Sequence, residues 1–79
     1  TVKAEEKIDI IFMDPPYNQD HEKIILNLLR NMKYVTEDTL IIVEADLKTD
    51  FSYLEDYGYR LHKEKKYKNN KHMFIYKDA

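Results

Sequence analysis

The sequence predicts an α/β fold whose mostly parallel sheet ends in an antiparallel hairpin. Two apolar runs rich in β-branched residues, at 8–13 and 39–44, have the character of strands covered on both faces. Apolar residues at helical spacing lie between them, and a strand–helix–strand unit requires a right-handed crossover and a parallel strand pair. Near the end of the chain, two further strands are separated by a short polar turn, which predicts an antiparallel hairpin.

The first half of the chain begins with a polar lead-in over residues 1–7, followed by the first strand at 8–13. Residues 18–20 supply turn and N-cap chemistry for a helix over about residues 20–33. This helix carries its predicted apolar face at Ile24, Ile25, Leu28, Leu29 and Met32.

The second half begins with the strand at 39–44. A short helix is predicted over about residues 48–57, ended by Gly58, the only glycine of the sequence. Residues 59–67 alternate between large and polar side chains, which indicates a strand with one wet face. An asparagine pair, Asn69-Asn70, then suits a hairpin turn before the last strand at 72–77.

The most informative stretch is Asp14-Pro15-Pro16-Tyr17, directly after the first predicted strand. Ligands of open α/β sheets bind outside the carboxyl ends of the strands. The Asp14 carboxylate and the Pro15 carbonyl accept hydrogen bonds, and Pro16 holds Pro15 extended, which fixes that carbonyl's direction. Tyr17 offers a flat face to a base. The tetrapeptide therefore suits a clamp for a planar amino group, although a plain strand-terminating turn uses the same residue types.

This tetrapeptide resembles motif IV of the S-adenosylmethionine-dependent methyltransferases that modify amino nitrogens. With the preceding strand, the later Ile-Ile-Val-Glu strand and the basic, tyrosine-containing end, the chain is similar to the RsmD-type family of small-subunit (16S) rRNA guanine-N2 methyltransferases. The resemblance covers most of the chain, but only the tetrapeptide is specific. It implies a methyltransferase with catalytic roles for Asp14, Pro15 and Tyr17. Substrate binding would involve Pro16, Tyr17 and Asn18, the last of which also suits a turn.

The resemblance also implies a place within a larger fold. Residues 1–79 would be one partial domain, the C-terminal, substrate-side half of a Rossmann-like methyltransferase fold, with residues 8–13 as the fourth of seven strands. The cofactor, S-adenosylmethionine, would have its main binding loop outside this chain, because no glycine precedes Gly58 and the chain has no initiator Met. The isolated piece is then expected to be inactive and to self-associate through the exposed edge of its first strand.

Composition and charge narrow the function further. The absence of cysteine excludes disulfides and thiolate metal sites and fits a cytoplasmic location. No apolar run approaches the roughly 20 residues of a membrane span.

The formal net charge of −2 conceals a basic end, since residues 60–77 hold seven basic residues and one acidic residue. That end is either a solvated edge hairpin or a phosphate-binding face for rRNA or the small ribosomal subunit. Its candidate RNA contacts are Lys63, Lys65, Lys66 and Lys68.

Three alternatives remain open. The same tetrapeptide serves adenine-N6 methylation of DNA or RNA. A non-catalytic module that binds RNA or a protein partner through the basic hairpin also fits the sequence. The carboxylates Asp14, Glu44 and Asp46 raise the third alternative, a divalent-cation site, but Pro-Pro-Tyr has no purpose there and no metal is expected. The histidines lack metal-ligand spacing and suit helix-start or strand-surface positions: His21, His62 and His72.

Overall fold

A computed structural model of the protein describes residues 8–14 and 21–78. Within these ranges the chain forms four strands and one α-helix. The elements are β1 (Ile10–Met13), α1 (His21–Leu29), β2 (Leu40–Asp46), β3 (Tyr59–Lys66) and β4 (Asn70–Lys77). No helix in this part of the chain is long and apolar enough to cross a membrane.

The four strands form one sheet in the order β1-β2-β4-β3. β1 and β2 are parallel, with Ile10 opposite Leu40 and Met13 opposite Val43, and α1 lies between them in the sequence. β4 runs antiparallel to both of its neighbours, β2 and β3. Three strands therefore share one direction and β4 alone opposes them, which confirms the predicted parallel pair and closing hairpin.

The core lies on one face of the sheet. β2 and β4 alternate between buried and half-buried side chains, as strands with one covered face do. Their buried side chains pack with Leu26 of α1 and with Phe51 and Leu54 from the connection between β2 and β3. Tyr59 is fully buried there, and its hydroxyl donates a 2.5 Å hydrogen bond to the Leu26 carbonyl. Burial raises the pKa of Tyr59 to about 12, because the phenolate would lose its hydration.

The opposite face of the sheet has no covering layer among the described residues. Ile10 is 62% exposed and Phe12 is 56% exposed, so the predicted burial of the first strand on both faces is wrong for this part of the chain. α1 and the connection after β2 both pack on the other side, which leaves these side chains in water. We call this surface the open face; it comprises Ile10, Phe12, Ile42, Phe74 and Tyr76.

β1 lies at the end of the described sheet and, among the described residues, pairs with β2 alone. The exposed edge of the first strand and self-association through it stay predictions.

The helix α1 is shorter than predicted and faces the sheet differently. It ends at Leu29, and the next turns tighten, since Asn31 and Met32 donate to carbonyls three residues earlier. Leu26, which was not assigned to the apolar face, is completely buried. Ile24 and Leu28 were assigned to that face, but each is 58% exposed.

The predicted helix over residues 48–57 is wrong. The chain forms consecutive turns there, with Leu54 and Gly58 each donating to a carbonyl three residues earlier. Asp50 accepts from the Ser52 amide at the start, and Gly58, with φ of 82°, ends the segment in a Schellman arrangement. So few residues lie between these two signals that a regular α-helical ladder gains little against its nucleation cost.

The closing hairpin departs from the predicted pattern in two ways. After Tyr59, every residue of β3 is exposed, so the strand has two wet faces rather than one, and its pairing shifts between Leu61 and Lys63. Asn70 belongs to β4, since its carbonyl accepts from the Tyr67 amide to close the turn. Only Asn69 of the asparagine pair lies in the turn itself. The exposure of β3 follows from its place at the edge of the sheet, because such a strand has one neighbour and no layer packed on it among the described residues.

Candidate functional site

Three polar side chains lie in a row at the carboxyl edge of the parallel pair. Asp14 directly follows β1, and the register that pairs Met13 with Val43 places Glu44 beside it. The antiparallel register places His72 of β4 directly opposite Glu44. Directly opposed residues share one face of a sheet, so strand pairing alone brings these groups together.

The Glu44–His72 pair is held by hydrogen bonding and ring packing. His72 Nε2 lies 3.2 Å from Glu44 Oε1, and both side chains are largely buried. The Tyr67 ring packs edge-on against the His72 ring at 4.9 Å between centroids, and the Phe12 ring does so at 5.8 Å. The histidine is therefore fixed in orientation, and it orients the Glu44 carboxylate in turn.

An open concavity adjoins this pair. It is a shallow surface depression of about 420 Å³, lined by Glu44, Tyr67, Asn70 and His72. A carboxylate, an amide, an imidazole and an aromatic ring offer both hydrogen-bonding groups and a stacking surface. These are the features with which proteins bind unstacked bases.

The electrostatics of Asp14 depend on Glu44. The negative charge of Glu44 raises the pKa of Asp14, and partial desolvation and a side-chain hydrogen bond between the two carboxyl groups act in the same direction. The charge of His72 opposes them. Two neighbouring carboxylates repel one another, so this pair attracts a proton or a ligand that presents hydrogen-bond donors.

The structure describes only part of the predicted clamp. Asp14 lies where the motif requires, at the carboxyl end of a strand, and its side chain is exposed. The other predicted site residues lie outside the described residues, so their roles remain predictions: Pro15, Pro16, Tyr17 and Asn18. Glu44, which the sequence analysis raised only within the divalent-cation alternative, lies next to Asp14.

His72 was not predicted as a site residue. The sequence placed it on a strand surface, and no local motif distinguishes it. Its position becomes visible only through the register of β4 against β2, which brings it opposite Glu44. Asp46 lies two residues beyond Glu44 and pairs in register with Asn70. In the described ranges, no group of three or more histidine or carboxylate side chains is arranged to hold a metal ion.

The candidate RNA-contacting lysines lie on the exposed hairpin. Lys63 Nζ lies 5.7 Å from the Phe74 ring centre, and Lys65 Nζ lies 5.5 Å from that of Tyr67. Lys66 is 3.7 Å from Glu64 and exposed, a geometry that leaves its charge accessible. Lys68 is exposed in the turn. Cations above accessible aromatic rings form a surface suited to phosphates and bases.

Two solved structures share the α/β fold of this chain. The Escherichia coli protein yhhF aligns with 96% of this chain and 42% of its own, at a TM-score of 0.68 and 23% identity. The Haemophilus influenzae protein HI0767 aligns with 90% of this chain and 39% of its own, at a TM-score of 0.76 and 22% identity. These proteins are named provisionally as a methyltransferase and a methylase, and at such identities they show the fold alone.

The chain belongs to the family described as Conserved hypothetical protein 95, whose profile matches residues 1–77. It is also similar to the ribosomal RNA small subunit methyltransferase D of Buchnera aphidicola, subspecies Acyrthosiphon pisum, strain APS. The identity is 45% over 40 residues, which cover 51% of this chain and 21% of that protein. These findings confirm the resemblance to the RsmD-type family. The chain spans less than half the length of each of these three proteins.

Proposed function

We propose that this chain is the substrate-side part of an S-adenosylmethionine-dependent methyltransferase that modifies the N2 amino group of guanine in small-subunit rRNA. The observation that carries the proposal is the position of Asp14, the first residue of Asp-Pro-Pro-Tyr, at the carboxyl edge of a parallel strand pair. The family and the name of the Buchnera relative support the substrate class. The strand order, with β4 inserted antiparallel, supports assignment to the C-terminal half of a Rossmann-like domain.

The proposed reaction depends on how the target nitrogen is held. An exocyclic amine is a poor nucleophile because its lone pair is delocalised into the ring. Asp14 and the Pro15 carbonyl would accept its two N–H bonds, which favours a tetrahedral nitrogen with its lone pair directed at the electrophile. The same acceptors stabilise the positive charge that develops on nitrogen, an interaction stronger in the transition state than in the ground state.

The neighbouring motif residues would position the base. Pro16 would fix the Pro15 carbonyl, Tyr17 would stack on the base, and Asn18 would hydrogen-bond it. The target must lie outside a helix or be flipped from it to reach these groups. Positioning the nitrogen for in-line attack provides much of the remaining rate acceleration.

The bound cofactor would supply an electrophilic methyl group on its sulfonium. The described residues offer it no glycine-rich turn, and the sequence has one glycine, Gly58. We therefore assign its principal contacts to a part of the protein outside these 79 residues. On this proposal the isolated chain is inactive, and the full-length protein acts on rRNA or the small ribosomal subunit in the cytoplasm.

Methyl transfer by the full-length protein tests the proposal. The protein is incubated with S-adenosylmethionine carrying a labelled methyl group and with small-subunit rRNA, either free or in unmethylated subunits. We expect label in the rRNA and its recovery as N2-methylguanosine after digestion to nucleosides. Recovery as N6-methyladenosine would favour the adenine alternative, and absence of transfer to both substrates would contradict the proposed function.

A second candidate function is RNA binding through the β3–β4 hairpin, favoured by the exposed lysines above aromatic rings. Replacing the four lysines Lys63, Lys65, Lys66 and Lys68 with Gln should weaken RNA binding. If all four contact phosphates, the slope of log K against log[salt] should become shallower by about 3, because each contact releases roughly 0.7–0.9 counterions.

Binding titrations at several salt concentrations measure that slope. The matched control replaces Lys33 and Lys48, which are exposed outside the hairpin, and should leave the slope nearly unchanged. An unaltered slope in the hairpin variant would identify β3 as a solvated edge strand whose lysines only discourage aggregation.

A further inference from the structure

The strand register places a second acceptor beside the proposed amine clamp. Asp14 and Glu44 are neighbours across β1 and β2, and the negative charge of Glu44 raises the pKa of the Asp14 carboxyl group. A ligand that presents two adjacent N–H donors satisfies two neighbouring carboxylates at once.

Guanine and adenine differ in whether they present two adjacent N–H donors. In guanine, the ring N1–H lies next to the 2-amino group, so two donors stand side by side. In adenine, the ring N1 next to the 6-amino group has no hydrogen and is an acceptor. An ionised carboxylate is acceptor-only, so it pairs with the N1 of guanine and is left facing a lone pair in adenine.

We propose that Glu44 is the residue that selects guanine, by accepting the N1–H of the base whose 2-amino group is held by Asp14. This inference rests on the proposed function and deepens it, since the tetrapeptide alone serves both guanine and adenine. The hydrogen bond to His72 Nε2, at 3.2 Å, holds the Glu44 carboxylate toward the site. His72 is thus a positioning residue, fixed by the rings of Phe12 and Tyr67.

The burial of the pair explains why discrimination should be large. Both the Glu44 and His72 side chains are about one-fifth to one-quarter exposed, at 24% and 21%. A bound base that has no N1–H removes water from the Glu44 carboxylate without donating a hydrogen bond to it. Sites built to bind a polar group reject analogues that lack it by far more than apolar pockets reject an altered shape.

The test uses the full-length protein and an rRNA in which the methylated guanosine is replaced by 2-aminopurine riboside through splinted ligation. This analogue keeps the 2-amino group in place and changes N1 from donor to acceptor. The wild-type protein should prefer guanosine by about 100-fold or more in kcat/KM. Glu44→Gln should lower activity on guanosine, because it keeps only a neutral acceptor for the N1–H. It should also bring the preference within about tenfold, because the glutamine amide donates to an unprotonated N1.

Asp46→Asn provides a matched control, because Asp46 lies two residues further along the same face of β2. It should leave the wild-type preference unchanged. If Glu44→Gln does not fold, as judged by circular dichroism, Glu44→Asp serves instead and should lower guanosine turnover more than 2-aminopurine turnover.

The outcomes separate this inference from the proposed function. Methylation of guanosine with an unaltered preference in the folded Glu44 variant would overturn the role of Glu44 and leave the methyltransferase proposal standing. Failure of the wild-type protein to methylate a 2-amino group on either base would overturn the proposed function itself.

Discussion

Asp14→Asn is expected to lower kcat/KM for methyl transfer by the full-length protein by about 100- to 1,000-fold. Asparagine keeps the size of the side chain and one acceptor oxygen. It removes the negative charge that stabilises the nitrogen as it becomes positive, and its own N–H groups compete with those of the target amine. Initial rates on rRNA measure the effect, while calorimetry should show cofactor affinity close to that of the wild type.

The matched control is Asp9→Asn, since Asp9 is an exposed residue just before the other end of β1. Its rate should remain within about twofold of the wild type, as expected for a surface substitution away from the site. A near-normal rate for Asp14→Asn would contradict the assignment of Asp14 to the amine clamp.

The raised pKa of Asp14 predicts that activity falls when the solution is acidified. The charge of Glu44 holds the pKa of Asp14 above its ordinary value of 3.8, and only ionised Asp14 is a full acceptor. Activity should therefore fall, as the solution is acidified, at a higher pH than an isolated carboxyl group would give. Because Glu44 is the main cause of the shift, Glu44→Gln should move this limit to lower pH.

Leu26→Ala is expected to destabilise the protein by about 2–5 kcal/mol, the usual cost of truncating a buried leucine. Leu26 is completely buried between α1 and the sheet, and its backbone carbonyl accepts the Tyr59 hydroxyl. Truncation leaves a cavity at the point where the helix meets the core. Urea unfolding followed by circular dichroism measures the change in the free energy of unfolding.

Leu28→Ala removes the same atoms from the same helix and serves as the control. Leu28 is 58% exposed, so its loss should change the free energy of unfolding by no more than about 0.5 kcal/mol. Equal effects of the two substitutions would mean that α1 does not pack on the sheet through Leu26.

The comparison of these leucines shows what periodicity reveals and what it leaves open. The spacing of apolar residues predicts a helix here, and the structure confirms one over His21–Leu29. The face that is buried depends on where the sheet lies, which a short helix with apolar residues around much of its surface does not encode. The prediction of a helix before Gly58 is wrong for a related reason, because local side-chain and turn hydrogen bonds compete with the regular helical ones there.

The candidate site likewise has a part that the sequence predicts and a part that only the structure shows. Asp14 is recognisable from the sequence because the motif is contiguous and follows an apolar run. The contact of Glu44 with His72 joins residues 28 positions apart and depends on β4 lying between β2 and β3. No local pattern encodes that strand order, so the proposed role of Glu44 in selecting the base is visible only in the folded sheet.

Nucleoside analysis of small-subunit rRNA, from cells with and without the gene for this protein, tests the central claim most directly. We expect one N2-methylguanosine to disappear when the gene is deleted and to return when the wild-type gene is restored, but not when the Asp14→Asn gene is. An unchanged N2-methylguanosine content in the deleted strain would contradict the proposed function.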